Sequence, residues 1–305
     1  MKNSGAPAIS TQSFATGCAL VLATGVLMST SGLIVRHIEV WDWHLVFYRS
    51  LAILLSVLIF LVLRDRSRVV GTFRKSGVPG LFAGIGMAFA TIGFVMAVNA
   101  TSVANTVFLL AASPFLAALM GWLLLRERVS GVTFAAMTTA LVGVAIMVWH
   151  GLSSGSPLGT LMAVLAGFGF ALFSVAFRWG RASDMFPSVC LGAAVSLVIA
   201  AAVLLISGAG FQISELDILL SSGFGVMTAV GLTVYALGAR SVPAAILALL
   251  ALIEVVLAPV WVWIVLGEVP HTVTLIGGAV VLSAIVGQSV FGIARRRVAT
   301  AAQGA

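Results

Sequence analysis

Ten apolar runs, each about twenty residues long, follow one another with only short polar or Gly/Pro-rich breaks between them. They cover 14–35, 43–63, 77–98, 103–125, 131–149, 158–179, 187–207, 218–238, 243–266 and 272–291. A helix of ~20 residues rising 1.5 Å each crosses the ~30 Å hydrocarbon core of a bilayer. Charged residues make up 8% of the chain and mean hydropathy is +1.19. Soluble domains carry about 25% charge, and no soluble core absorbs this much apolar surface. The chain therefore reads as an all-α integral membrane protein. The first run exceeds the ~7–15-residue apolar core of a signal peptide, so it counts as a spanning helix. No gap is long enough for a soluble domain.

The net charge of +7 could suggest nucleic acid, but its arrangement excludes that partner. Fourteen Lys and Arg fall in alternate loops and tails, Arg36 lies alone in the others, and Arg49 sits inside a run. Such asymmetry marks the cytoplasmic face. Both termini are expected in the cytoplasm, with the chain in a bacterial-type inner membrane. Cys18 and Cys190 are isolated within apolar runs and read as packing residues. No metal-ligand spacing and no cofactor motif is present.

The fourth and ninth runs share a design. The stretch 104–129 reappears, altered, at 244–269, and matching Glu127 to Glu268 places Trp122 on Trp263 and Leu125 on Leu266, an offset of 141. Gly25 to Arg36 matches Gly167 to Arg178 at 142. A fixed internal period signals a repeat. With five runs per copy, an odd number, the second copy must enter from the opposite side. The expected architecture is two inverted-topology five-helix repeats, 14–149 and 158–291, around a central cavity, with cytoplasmic tails 1–13 and 292–305. Inverted repeats typify secondary transporters. At the same offset Ser113 in the first copy is replaced by Glu254 in the second.

The pattern SPFLAALMGWLLLRERVS, from Ser113 to Ser130, resembles the fourth helix of the EamA family of the drug/metabolite transporter superfamily. VFYRSLAILL around Arg49, GFVMAVNATSVANTVFLLAASP, LIEVVLAPVWVWIVLGE and LIGGAVVLSAIV continue the likeness in order across nearly the whole chain. The resemblance implies ten helices around a central cavity and transport of small organic metabolites, amino acids among them. One departure stands out: Val255 follows Glu254 where the family has Pro. Pro259 comes four residues after Val255, so the break in the ninth helix is expected to be displaced.

Glu254 is the leading candidate for substrate recognition or proton coupling, about 16 Å from the start of its run and hence near mid-membrane. A carboxylate there must face a cavity, hold a proton or meet a cation, unless it only ties its helix to a neighbour. Arg49, ~9 Å below the outer face, is a possible partner, with snorkelling to the interface as the alternative. Ser29, Thr30 and Ser31, with Gly32, interrupt the first run and form either a polar strip or a bend. Tyr48 and Ser113 complete the candidate set. His44, Trp41, Trp43, Trp261 and Trp263 read as interfacial anchors, and Asn99, Asn105 and Thr106 as turn and cap residues. Pro114 and Pro259 are hinge candidates, and Glu127 and Glu268 structural or gating residues. Small-residue faces on the fifth and tenth runs, including Gly277 and Gly278, either brace the bundle or support a dimer.

These features point to a secondary transporter, not an enzyme, that exports an amino acid or related metabolite by alternating access. Its partners are then the small-molecule substrate and the lipid bilayer, and the protein is a monomer or homodimer. The competing readings are a membrane assembly protein without transport activity, or a membrane-embedded enzyme.

Overall fold

The computed structural model describes residues 11–31, 34, 38, 40–101, 103–127, 129–149, 156–267, 269 and 271–303. Gly32, Arg36, Arg128 and Glu268 lie outside the described residues. Among the described residues every regular element is helical: α1 (Thr11–Met28), α2 (Asp42–Asp65), α3 (Val69–Ala100), α4 (Val103–Leu110), α5 (Ser113–Leu125), α6 (Gly131–Val148), α7 (Pro157–Trp179), α8 (Phe186–Ile206), α9 (Glu215–Ala239), α10 (Ala244–Ala251), α11 (Ile253–Leu266) and α12 (Thr272–Gln303). Helices satisfy their own backbone groups, which is what lets them cross lipid. Among the described residues nine stretches are long and apolar enough to span a membrane, with 105–125 and 244–265 each taken whole, and the shorter 12–28 adds an apolar tenth.

Local chemistry sets the ends. Ser130, Ser156 and Ser214 cap α6, α7 and α9, each hydroxyl accepting the N–H three residues on. Pro157 occupies the first turn of α7, where no hydrogen-bonded N–H is needed. Gly77 (φ 53°) bends α3 where the third apolar run begins. The helix therefore continues upstream of that run through 69–76, and α12 likewise extends past 291 to Gln303.

Two apolar runs are broken helices. Between α4 and α5 the chain turns at Ala111–Ala112, with Ala112 N–H bonded back only three residues to the Leu109 carbonyl at 3.2 Å. Between α10 and α11 it turns at Leu252, whose N–H reaches the Leu249 carbonyl at 3.1 Å. Pro114 opens α5 just after its break, whereas Pro259 lies inside α11. The second break is thus not displaced to Pro259 but stands before Glu254. Both broken helices also end alike. Arg126 (φ 56°) and Gly267 (φ 72°) are left-handed caps whose N–H groups bond to the carbonyls of Trp122 and Trp263.

Packing follows small residues. α3 lies against α7, where a Cβ on Gly86 would come within 2.7 Å of the Gly169 carbonyl oxygen. α6 lies against α12, where a Cβ on Gly143 would come within 2.9 Å of the Gly277 carbonyl oxygen. Gly277 is therefore used within the bundle. The inner contacts α3–α7, α3–α8 and α4–α7 have counterparts in α9–α1, α9–α2 and α10–α1. Not every pairing has a counterpart: α5 packs along α10 and α7 meets α10, but among the described residues α4 forms no comparable contact with α11 or with α1. Ala244–Leu250 of α10 are all buried. The bundle is accordingly tight at the end carrying Arg126, Arg178 and Arg240, and looser around α11. The core centres on Phe173, Phe177, Tyr235, Leu247 and Leu250.

Candidate functional site

Glu254 is the second residue of α11. The N-terminus of a helix carries partial positive charge from unpaired N–H groups, so the break supplies a favourable field for a carboxylate between two half-helices. Two side chains complete the environment: the Ser31 hydroxyl and the Arg49 guanidinium lie near enough to act on its charge. Glu254, Arg49 and Ser31 each keep part of their surface accessible.

Arg49 is held by its neighbours. Its Cζ lies 4.3 Å from the centroid of the Phe224 ring, a cation–π contact. Its Nε is buried and has no hydrogen-bond partner. The approach of α9 is permitted by Gly225, where a Cβ would stand 2.5 Å from the Arg49 carbonyl oxygen. A guanidinium with an unused donor can still bind an anionic partner.

The end of α1 closes the third side. Ser29 Oγ donates to the Val26 carbonyl (2.6 Å) and Thr30 Oγ1 to the Leu27 carbonyl (2.8 Å), so both hydroxyls finish off the helix they terminate. Ser29 Oγ in turn accepts the Trp261 Nε1–H at 2.7 Å. Trp261 stands seven residues, two turns, beyond Glu254 and therefore on the same face of α11. The Trp261–Ser29 hydrogen bond thus joins the end of α1 to α11. Gly25 lets α1 sit this close: a Cβ there would fall inside the van der Waals shell of Ile253 Cγ2 and 3.6 Å from the Glu254 nitrogen. Gly167 occupies the matching place on α7, its Cβ position 3.6 Å from the Leu109 carbonyl oxygen beside the other break.

The remaining candidates separate from this cluster. The Tyr48 hydroxyl donates to the Phe211 carbonyl at 2.7 Å, and His44 Nε2 lies 3.2 Å from the Gly210 carbonyl. Both fasten the 207–214 loop to the start of α2. Ser113 is buried at the first residue of α5, in the other break. Trp261 and Phe224 also belong to the site, although no sequence pattern pairs them with Arg49 or Glu254. Only the two-turn spacing of Trp261 from Glu254 could have flagged it.

A second polar cluster closes the arginine-rich end. Arg178, the penultimate residue of α7 and buried, donates through Nε to Glu127 Oε1 (2.7 Å) and through a terminal nitrogen to the Arg240 carbonyl (3.0 Å). It ties together the ends of α5, α7 and α9. Nearby, Arg64 bridges Asp65 and Asp184 and lies against Phe60 and Phe186.

An all-helical, multi-pass membrane protein with a polar cluster set at a broken helix is the class that these features define. Residues 15–149 match the EamA-like transporter family. No protein of curated function matches the chain. Among 29 matching chains of solved structures, one described as "Crystal structure of protein" superposes with a TM-score of 0.76 at 17% identity, over 91% of this chain and 98% of its own. At that identity the likeness concerns the fold.

Proposed function

We propose that the protein is a secondary transporter that exports a small organic metabolite, an amino acid or a related compound, across the cytoplasmic membrane by alternating access. The observation that carries this reading is Glu254: a partly accessible carboxylate at the start of a half-helix, beside Ser31 and Arg49. Discontinuous helices with their ends aimed at a central site are a recurrent transporter device. A carboxylate and a guanidinium at one site suit a solute that carries an amine and an acid.

Residues 14–149 and 158–291 act in this reading as inverted copies. The matched breaks, the matched left-handed caps and the exchangeable helix contacts support it. The conformation tight around α5 and α10 and loose around α11 is then one of two states, reached by rocking α1–α5 against α7–α11, with the breaks as hinges. Both termini lie in the cytoplasm, so Arg178 and Glu127 close the cytoplasmic side.

A thermal-shift screen of amino acids, amines, nucleosides and dyes on the purified protein tests the site, since a bound solute stabilises by mass action. The expected result is stabilisation by a set of related compounds that carry both an amine and an acid, and this stabilisation disappears in Glu254→Gln. Stabilisation that persists unchanged in a folded Glu254→Gln protein removes Glu254 from the binding site.

A further inference from the structure

A separate cavity of about 300 Å³ lies at the arginine-rich end, between α1, α5, α6, α10 and α12. This is the lower end of the size range of small-molecule sites. Phe14 and Phe291 supply apolar wall, and Glu127, Ser130, Thr133 and Gln288 supply polar groups. Glu254 and Arg49 do not line it.

The polar lining has one chemical bias. Among the described residues, Glu127 is the only charged one that lines it. Ser130 and Thr133 hydroxyls hydrogen-bond each other at 2.9 Å, and Ser130 Oγ also caps the Thr133 N–H. Gln288 is 3% exposed, and its Oε1 has no hydrogen-bond partner. A buried amide oxygen without a partner costs free energy that a ligand donor would recover. The cavity therefore presents acceptors, one of them anionic, beside aromatic rings.

We infer that this cavity binds a protonated primary amine carrying a short apolar tail, with Glu127 as its counter-ion. The same carboxylate accepts the Arg178 Nε–H, and its side chain is 28% exposed, so it is reachable from the cavity. An ammonium at this place competes with Arg178 for Glu127 and loosens the tie between the ends of α5, α7 and α9. The inference rests on the proposed transport reading only for its consequence, a solute that helps to open the closed end. The binding itself stands apart from Glu254. The ammonium can belong to a free solute or to an ethanolamine lipid headgroup.

The test is calorimetric titration of phenethylamine, with phenylpropionate as the anionic control, into the full chain in phosphatidylcholine nanodiscs. Saturable binding is expected for phenethylamine alone. Ala118→Phe, which fills the cavity, should abolish it. Arg178→Gln, which removes the competitor, should tighten it about tenfold, the effect of losing one charge-assisted hydrogen bond to Glu127. Binding should persist in Glu254→Gln, which separates a failure here from a failure of the central site. In nanodiscs containing phosphatidylethanolamine, a weaker apparent affinity assigns the cavity to the lipid headgroup, and an unchanged affinity assigns it to free solute. No binding in either lipid, binding indifferent to Ala118→Phe, or binding lost in Glu254→Gln but kept in Ala118→Phe would overturn the inference. So would an affinity that Arg178→Gln leaves unimproved.

Discussion

Gly25 and Gly167 occupy matching places in the sequence but should respond to substitution very differently. A methyl group on Gly25 meets Ile253 Cγ2 well under the 3.0 Å below which something must shift. That atom belongs to a β-branched side chain with little freedom to rotate away. Ile253 is itself 8% exposed, so α1 and α11 must separate by on the order of 1 Å, an overpacking cost of about 1–3 kcal/mol. A methyl on Gly167 meets the Leu109 carbonyl oxygen at 3.6 Å, ordinary contact. Replacing Gly by Ala inside a helix gains about 1 kcal/mol at both positions, so that gain cancels in the comparison. Gly25→Ala should therefore be less stable than Gly167→Ala by about 1–3 kcal/mol. Unfolding of each purified variant, followed by tryptophan fluorescence, measures the difference. Ile253→Ala should relieve the clash, so its cost in the Gly25→Ala background should be smaller than in the wild type. Because the Glu254 nitrogen lies 3.6 Å from the same Cβ position, Gly25→Ala should also weaken solute binding, and Gly167→Ala should not. Equal stabilities for the two variants, or additive effects of Gly25→Ala and Ile253→Ala, would refute the close seating of α1 on the break.

Three further outcomes follow from particular contacts. Arg126 holds a left-handed conformation (φ 56°) that its counterpart Gly267 adopts without a side chain. Arg126→Gly should leave stability unchanged or raise it by up to ~1 kcal/mol, whereas Gly267→Ala should lower it by about 1 kcal/mol, both read from thermal unfolding. Tyr48→Phe removes the hydrogen bond to the Phe211 carbonyl and should cost about 0.5–1.5 kcal/mol of stability while leaving solute affinity unchanged in the thermal-shift titration. Trp261→Phe removes the donor to Ser29 but keeps an aromatic ring, and should weaken solute binding several-fold with a smaller loss of stability.

The sequence made the spans and their breaks legible to different degrees. Length and hydropathy locate the spans because a bilayer imposes one thickness on every helix. The broken helix before Ser113 was readable from Pro114, which lacks the N–H that a continuous helix requires. The break before Glu254 was not placed correctly. Pro259 offered a more visible cause, yet that position lies within continuous α11, and the turn at Leu252 carries no residue that announces it. Glu254 could be singled out because a lone mid-membrane acid is costly wherever it points. Its meeting with Ser31 and Arg49 depends on how α1, α2 and α11 pack, and no spacing within one helix encodes that. Tyr48, one residue from Arg49, leaves the site because consecutive helical residues point about 100° apart and its hydroxyl reaches the 207–214 loop instead. In the sequence Arg178 is visible only as one of the loop charges and as the counterpart of Arg36. Its role in closing one end of the bundle emerges from its burial and from the reach of its two donor groups to Glu127 and Arg240.

The most direct measurement is solute flux in proteoliposomes loaded with the compound that most stabilises the wild-type protein in the thermal-shift screen. Wild-type protein should release the solute far faster than protein-free vesicles, and Glu254→Gln, folded and incorporated to the same level, should not. Equal release by wild type and Glu254→Gln, or no release of any compound across the panel, would contradict a transporter that works through Glu254.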